Sequence, residues 1–359
     1  MPRDRCGSAA STVQWCLTLS LVSDGEADGD VQRVEATMSA LAPEVTEALG
    51  KAVQAPSPYN TQPWRFVVDG ERIDLFLDPE RVLRVSDPDG RQARLACGAA
   101  LFNLRLGIRV HGRAVVVDLV PDPEQPDLLA SVRISGPQAK TLTEDRLARA
   151  IERRHTNRRP FLNRQVELPL RSGLVAAARA EGALVELVDP EGKTAPRYRI
   201  IAELVRQADS VQQNDPEYQW EARRWSGGGP ERADGVPASA FGPEPDDDRV
   251  LRLRSFPRDT APPRREFEQQ PLVAAVLTYG KGIAADVVAG MAMQRVLLTA
   301  SDLGLSTSFL TQPFEVPQTR AQLTELFRPH QIQTLLRVGY GYPVAPTPRR
   351  AVDEVTVRT

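Results

Sequence analysis

The sequence is poor in the residues that metal centres and disulfide frameworks are built from. Its 359 residues include three cysteines, Cys6, Cys16 and Cys97, and three histidines, His111, His155 and His330. Their spacing matches neither a zinc-binding pattern nor a disulfide framework. That scarcity argues against zinc chemistry and fits a reducing, cytoplasmic compartment. Charge of one sign is lacking too. The formal net charge is −2, so no overall field favours nucleic acid or an acidic membrane surface. Uninterrupted apolar runs of the roughly 18 residues that a membrane span needs are missing. The stretch Thr12–Val22 is mildly apolar and follows Arg3 and Arg5, but Asp4 interrupts the basic run and Ser23-Asp24-Gly25-Glu26 stands where a small-residue cleavage site belongs. Residues 1–37 are therefore expected to be a disordered tail.

Proline and glycine, by contrast, are plentiful, with 30 and 24 copies, and they divide the chain. Leu41, Val45, Leu49 and Val53 recur every fourth residue, which predicts a helix over 38–54. Trp64 to Asp78 reads as a hairpin turning at Asp69-Gly70, with Ile73, Leu75 and Leu77 on one face. Residues 91–112 read as a buried helix with Leu95, Ala99, Phe102 and Leu106 on one side. Ala114–Val120 and Ser131–Ile134 read as strands. A second half opens near Thr141, with a helix over Leu142–Arg154 whose first turn is acidic. Residues 195–225 read as helical and charged. Pro271–Tyr279 and Gln331–Tyr340 read as strands, and Ala285–Leu303 as a buried helix. Between them, Ser226 to Gln270 is punctuated by Gly227-Gly228-Gly229-Pro230, Pro243-Glu244-Pro245 and Pro262-Pro263. A loop of that length is usually functional or disordered.

The two buried helices look like copies. Gly98 and Gly112 in the first correspond to Gly290 and Gly304 in the second, each 192 positions further on. Duplication explains this; chance similarity of two buried helices is the alternative.

Four segments carry candidate chemistry. The first is Ala55-Pro-Ser-Pro-Tyr-Asn-Thr-Gln-Pro-Trp-Arg-Phe66. Its prolines stiffen a loop of hydrogen-bonding side chains, which suits the edge of a planar heterocycle. Its composition also fits a turn held by Asx and Ser contacts. The second is Arg153-Arg-His-Thr-Asn-Arg-Arg-Pro-Phe161, followed by Arg164, with five arginines in twelve positions. Arginine forks with a hydroxyl suit a phosphate monoester; a cationic helix end is the plainer reading. No aromatic platform accompanies the run, which opposes nucleic-acid binding. The third is Pro346-Thr-Pro-Arg-Arg350, and the fourth Leu303-Gly-Leu-Ser-Thr-Ser-Phe-Leu-Thr-Gln312. Gly339-Tyr-Gly341 lacks the third glycine of a dinucleotide fingerprint and follows no suitable βα unit.

Read as strings, the first segment resembles the PSxxNxQPW signature of the nitroreductases and the second their R-[RH]-S/T-x-R/K motif. A single chain carrying NTQPW, RHTNRRPF and a C-terminal TPRR is most similar to the Acg family of FMN-binding nitroreductase homologues, over about Met38 to Val355. The resemblance implies an α+β nitroreductase-like fold and two fused halves (38–140 and 141–359) acting as an internal pseudo-dimer in a monomer, with further oligomerisation as the alternative. It implies FMN, with Pro56, Ser57, Tyr59, Asn60 and Gln62 along the ring and Arg153, Arg154, Thr156, Arg158, Arg349 and Arg350 toward the phosphate. Thr311 and Gln312 stand where typical members carry a Glu-Gly pair beside the flavin, so the group facing its N5 differs here. The first half lacks the arginine motif and the second lacks the PSxxN loop, which implies one intact flavin site and one degenerate one. Residues 226–270 correspond to a lid. The implied activity is reduction of nitroaromatic, quinone or related small acceptors with NAD(P)H; holding FMN without turnover is the alternative. No catalytic acid is singled out, and no metal, nucleic acid or membrane partner is implied.

Overall fold

The computed structural model describes residues 41–229, 231–245, 251–269 and 271–359. The expected tail, 1–37, lies outside the described residues, as do positions 230, 246–250 and 270 of the expected lid. In chain order the described elements are α1 (Pro43–Ala52), β1 (Trp64–Asp69), β2 (Arg72–Leu77), α2 (Arg91–Val110), β3 (Arg113–Leu119), β4 (Leu128–Pro137), α3 (Leu142–Arg153), α4 (Leu168–Arg179), β5 (Leu184–Val188), α5 (Ala195–Asn214), α6 (Pro216–Arg224), β6 (Glu244–Pro245), β7 (Arg264–Arg265), β8 (Leu272–Thr278), α7 (Ile283–Asp302), β9 (Ser306–Phe309), α8 (Gln312–Glu315), α9 (Pro317–Leu326), β10 (Gln331–Gly339) and β11 (Thr356–Arg358).

Two sheets flank a helical middle layer. One sheet runs β11-β1-β2-β4-β3 and the other β5-β8-β10-β9. Every pairing within them is antiparallel except β1 with β11. The main apolar core lies between the sheets, around α2 and α7. This is why α2 is buried on nearly every side rather than on the single face its periodicity suggested. Helix α7 is apolar and long enough to cross a membrane by composition (mean hydropathy 1.4), yet here it is the helix packed across α2. The crossing is made by Gly98 and Gly290: a Cβ on either would lie 2.9 Å from the Cα of the other.

Several boundaries differ from the sequence expectation. Helix α1 starts at Pro43, because Ala42 before it holds an extended ψ of 138°, as a residue preceding proline prefers. The hairpin turns through Gly70-Glu71, with Asp69 the last strand residue, and Gly70 takes the left-handed φ of 55°. The charged stretch 195–225 is two helices. Pro216 lacks the N–H that a continuous helix needs, and the Asp215 carboxylate caps α6 by accepting from Glu217 N and Tyr218 N. Helix α3 carries a complete capping box, Thr141 with Glu144. Helix α4, strand β5 and strand β11 had no sequence expectation.

Strand β11 matters most for the site. After β10 the chain leaves the second sheet, runs past residues 340–355, and pairs with β1 at the edge of the first, Phe66 opposite Thr356 and Val68 opposite Arg358. On its way it passes the Pro56–Gln62 loop.

Candidate functional site

Pro56–Tyr59, Thr156, Arg158 and Thr311 surround one space that is partly open to solvent. Leu95 and Ala96 of α2 and Met293 of α7 form its apolar side. Leu253, Arg254 and Phe256, from the proline-rich run, also line it.

The loop that opens this space is held in an unusual backbone. Tyr59, Asn60 and Gln62 have φ of 45°, 57° and 52°. Left-handed non-glycine residues cost on the order of 1–3 kcal/mol each and persist only where surrounding contacts over-determine them. Those contacts are present. Gln62 N donates to Ser57 Oγ at 2.9 Å. Asn60 Nδ2 donates to Gly235 O and to Pro348 O, at 3.1 and 3.0 Å. Gln62 Nε2 donates to Ala233 O at 2.9 Å, and its Oε1 accepts from Arg350 N at 2.9 Å. Asn60 and Gln62 thus spend their amide groups tying three strands of chain together: the loop, residues 233–235, and the C-terminal crossover.

The arginines expected to act together divide into separate groups. Arg154 and Arg349 converge: the Nη2 of each points at the Gln54 carbonyl, at 3.2 and 3.5 Å. Among the described residues neither has a carboxylate within ion-pair distance, and the Nε of each is buried without a hydrogen-bond partner. Burial pushes Arg154 down to about 10 and, together with the charge of Arg154, Arg349 down to about 9. Burial and the same two charges lower His155 as well. Two buried guanidiniums sharing one carbonyl make a pocket that an anion would stabilise.

Arg158 lies apart from them. Its Nη1 donates to Ala240 O at 3.1 Å and its guanidinium sits 5.1 Å from the centre of the Phe256 ring. Burial, then the nearby charge of Arg254, lowers it to about 10. The chain is not helical beyond Arg153, so Arg154 and Arg158 are not stacked on one helix face. Arg153 is turned outward to Asp302, at 3.5 Å. Arg350 turns its side chain to Glu354, at 3.4 Å, and contributes only its backbone N–H to the loop. The Thr311 hydroxyl accepts from Arg254 Nη2 at 2.6 Å. Gln312 is buried; its backbone carbonyl accepts from Gln212 at 3.4 Å, and among the described residues its side-chain amide has no partner.

Sequence reasoning missed Arg254, Tyr218 and Glu315. Arg254 reaches in from the proline-rich run, donating to Tyr59 Oη at 2.9 Å and forming an ion pair with Glu315. Tyr218 lies 2.8 Å from Tyr59, oxygen to oxygen. Phe256 stacks on Phe241 at 4.7 Å and meets Tyr59 edge-on at 5.9 Å. Asp234 adds an ion pair to Arg81 at 2.9 Å.

No family model matches the chain. A Mycobacterium tuberculosis (strain H37Rv) protein provisionally named NAD(P)H nitroreductase acg is 32% identical over 322 residues, 87% of this chain and 94% of the relative. A second protein of that strain with the same provisional activity in its name is 34% identical over 324 residues, 87% of this chain and 90% of its own length. Among solved structures, a nitroreductase with bound FMN from Desulfitobacterium hafniense aligns at a TM-score of 0.38 and 16% identity, covering 59% of this chain and 97% of that one. One from Bacteroides fragilis, also with FMN, aligns at 0.35 and 14%, covering 57% and 95%. By its curated relatives the chain belongs to the Acg family of nitroreductase-like proteins.

Proposed function

We propose that the chain binds one FMN in this space and works as an oxidoreductase, passing electrons from NAD(P)H to a nitroaromatic, quinone or related small acceptor. The observation that carries the cofactor is the pair Arg154 and Arg349, buried without a carboxylate and with both Nε atoms unpartnered. A phosphate supplies the missing charge and the missing acceptors. Arg154 and Arg349 are not among the residues lining the space, and its lining suits the remainder of such a ligand. Pro56 to Tyr59 offer a stiff edge, Leu95, Ala96 and Met293 an apolar face, and Arg158 a further cation.

Flavin, when bound, supplies the hydride chemistry; the protein contributes position, electrostatics and exclusion of water. Arg154 and Arg349 fix the phosphate end. The crossover bearing Arg349 is hydrogen-bonded to Asn60 and Gln62, so the loop that would meet the ring and the arginine that would meet the phosphate are tied together. Residues 38–140 and 141–359 form the two halves of an internal pseudo-dimer in a monomer with one complete site, and we place it in the cytoplasm, where its thiols would stay reduced.

A second reading, that the protein holds FMN without turnover, is favoured by the cover that Leu253, Arg254 and Phe256 give the space. In both readings the run 226–270 acts as a lid. Heat-released flavin tests the shared claim: one FMN per chain is expected, and a protein that neither contains nor takes up FMN would end both readings.

A further inference from the structure

Reduction of a quinone or nitro group consumes protons as well as hydride. Among the described residues lining the space there is no histidine, aspartate, glutamate, lysine or cysteine. The acids at hand are hydroxyls and arginines, and two of the hydroxyls, Tyr59 and Thr311, are linked to a buried carboxylate, Glu315. Tyr59 Oη is 2.8 Å from Tyr218 Oη, and Tyr218 Oη donates to Glu315 Oε2 at 3.0 Å. Glu315 is also bound by Arg254, by Gln212 Nε2 at 2.9 Å and by Gln92 Nε2 at 3.5 Å.

The direction of this chain depends on Glu315. With the carboxylate ionised, Tyr218 gives it its single hydrogen, so the hydrogen between the tyrosines belongs to Tyr59. With Glu315 protonated the order reverses, and the Tyr59 hydrogen faces the space. We propose that Tyr59 is the proton donor to the bound acceptor and that Glu315 resupplies it through Tyr218. This rests on the oxidoreductase reading.

The step balances. A quinone that has taken a hydride is a hydroquinone anion, reduced by two electrons at the expense of the hydride donor. Its oxygen bonds to the Tyr59 hydrogen as the Tyr59 O–H bond breaks. Tyr59 takes the hydrogen of Tyr218, and Tyr218 takes the proton of Glu315, which is left as a carboxylate beside Arg254. Arg254, donating to Tyr59 Oη and paired with Glu315, stabilises negative charge at both ends. Burial raises the Glu315 carboxyl above its ordinary range against the pull of Arg254, so it holds a proton more readily than an exposed glutamate. Burial likewise pushes Tyr59 up to about 12 despite Arg254, which keeps it protonated between turnovers. The Thr311 hydroxyl is hydrogen-bonded to Glu315 directly, but an alkyl alcohol is a far weaker acid than a phenol.

The test compares two acceptors in the flavin-loaded protein: p-benzoquinone, which needs a proton with its electrons, and ferricyanide, which does not. In Tyr59→Phe, Tyr218→Phe and Glu315→Gln the ratio of quinone to ferricyanide turnover should fall roughly tenfold or more, as loss of a general acid does. Infrared difference spectra between oxidised and reduced protein should show a protonated-carboxyl band that Glu315→Gln removes. An unchanged ratio in Tyr59→Phe or Tyr218→Phe with flavin still bound, or identical difference spectra for wild type and Glu315→Gln, would overturn the relay. A protein that binds no flavin would instead remove the oxidoreductase reading beneath it.

Discussion

Gly98 and Gly290 meet where α2 crosses α7, and each faces the other's helix in the same way. A Cβ on Gly98 would lie 2.2 Å from Val287 O, and one on Gly290 would lie 2.1 Å from Leu95 O. Leu95 and Val287 are themselves 192 positions apart, as are the glycines. A contact in which i meets j and the copy of j meets the copy of i is what a two-fold axis produces between subunits; here it joins parts of one chain. Gly112 and Gly304, the other matched pair, end their helices at φ of 74° and 76°.

Gly98→Ala or Gly290→Ala should therefore destabilise the protein by about 1–3 kcal/mol or more, since the clash is with backbone that cannot rotate away. Urea denaturation measures it. A change below about 0.5 kcal/mol in both variants would mean the helices are not in this close contact.

Removing Arg154 or Arg349 should weaken FMN binding by roughly 1.5–3 kcal/mol each, the worth of a charged hydrogen bond. The flavin-free form should hold or gain stability, because each variant relieves a buried, unpaired charge. Flavin fluorescence titration and thermal melts read the two effects separately. Arg153→Ala, at an exposed ion pair with Asp302, should leave both nearly unchanged.

Gln62→Ala removes the acceptor of Arg350 N and the donor to Ala233 O. A loss of about 1–3 kcal/mol is expected from the orphaned groups. The amide of Arg350 should exchange hydrogen faster, and unchanged protection there would show that the crossover is fastened by other contacts.

Asp87 caps α2 through Gln92 N and Ala93 N, at 3.0 and 2.8 Å. Burial outweighs those bonds and raises its carboxyl from the model-compound value of 3.8 to about 6. A carboxyl whose folded value is raised contributes stability that is complete below its unfolded value and is lost as pH rises through its folded one. Stability attributable to Asp87 should accordingly decline between about pH 4 and pH 6, and Asp87→Asn should flatten that slope. A slope identical in wild type and variant would contradict the assignment.

Phe256→Ala removes the stack on Phe241 and the edge contact with Tyr59, worth about 1 kcal/mol beyond area. If this segment limits access, anaerobic reduction by NADPH should speed up by roughly fivefold. An unchanged or slower rate with flavin bound would count against a covering role.

What could be read from the sequence was what lies in strings or in periods. The PSPYN loop and the RHTNRR run are contiguous, and the 192-residue spacing of Gly98 and Gly290 is visible by alignment of the chain with itself. What could not be read depends on long-range geometry. Strand β11 is three residues with no pattern of their own, defined only by β1 beside it. Arg158 resembles Arg154 in the string, yet the extended chain between them sends it toward Arg254 and Phe256. Arg254 is one of 45 basic residues and sits in a proline-rich run, where nothing local marks it as the partner of Glu315. Burial, not composition, sets it apart.

Anaerobic addition of NADPH to the purified protein, followed by its visible spectrum, tests the central claim most directly. A yellow protein with about one flavin per chain whose absorbance near 450 nm bleaches on addition is expected for an FMN oxidoreductase. A colourless protein that FMN cannot reconstitute would contradict the site, and a yellow one that neither NADPH nor NADH bleaches would contradict the oxidoreductase and leave a flavin-holding protein in its place.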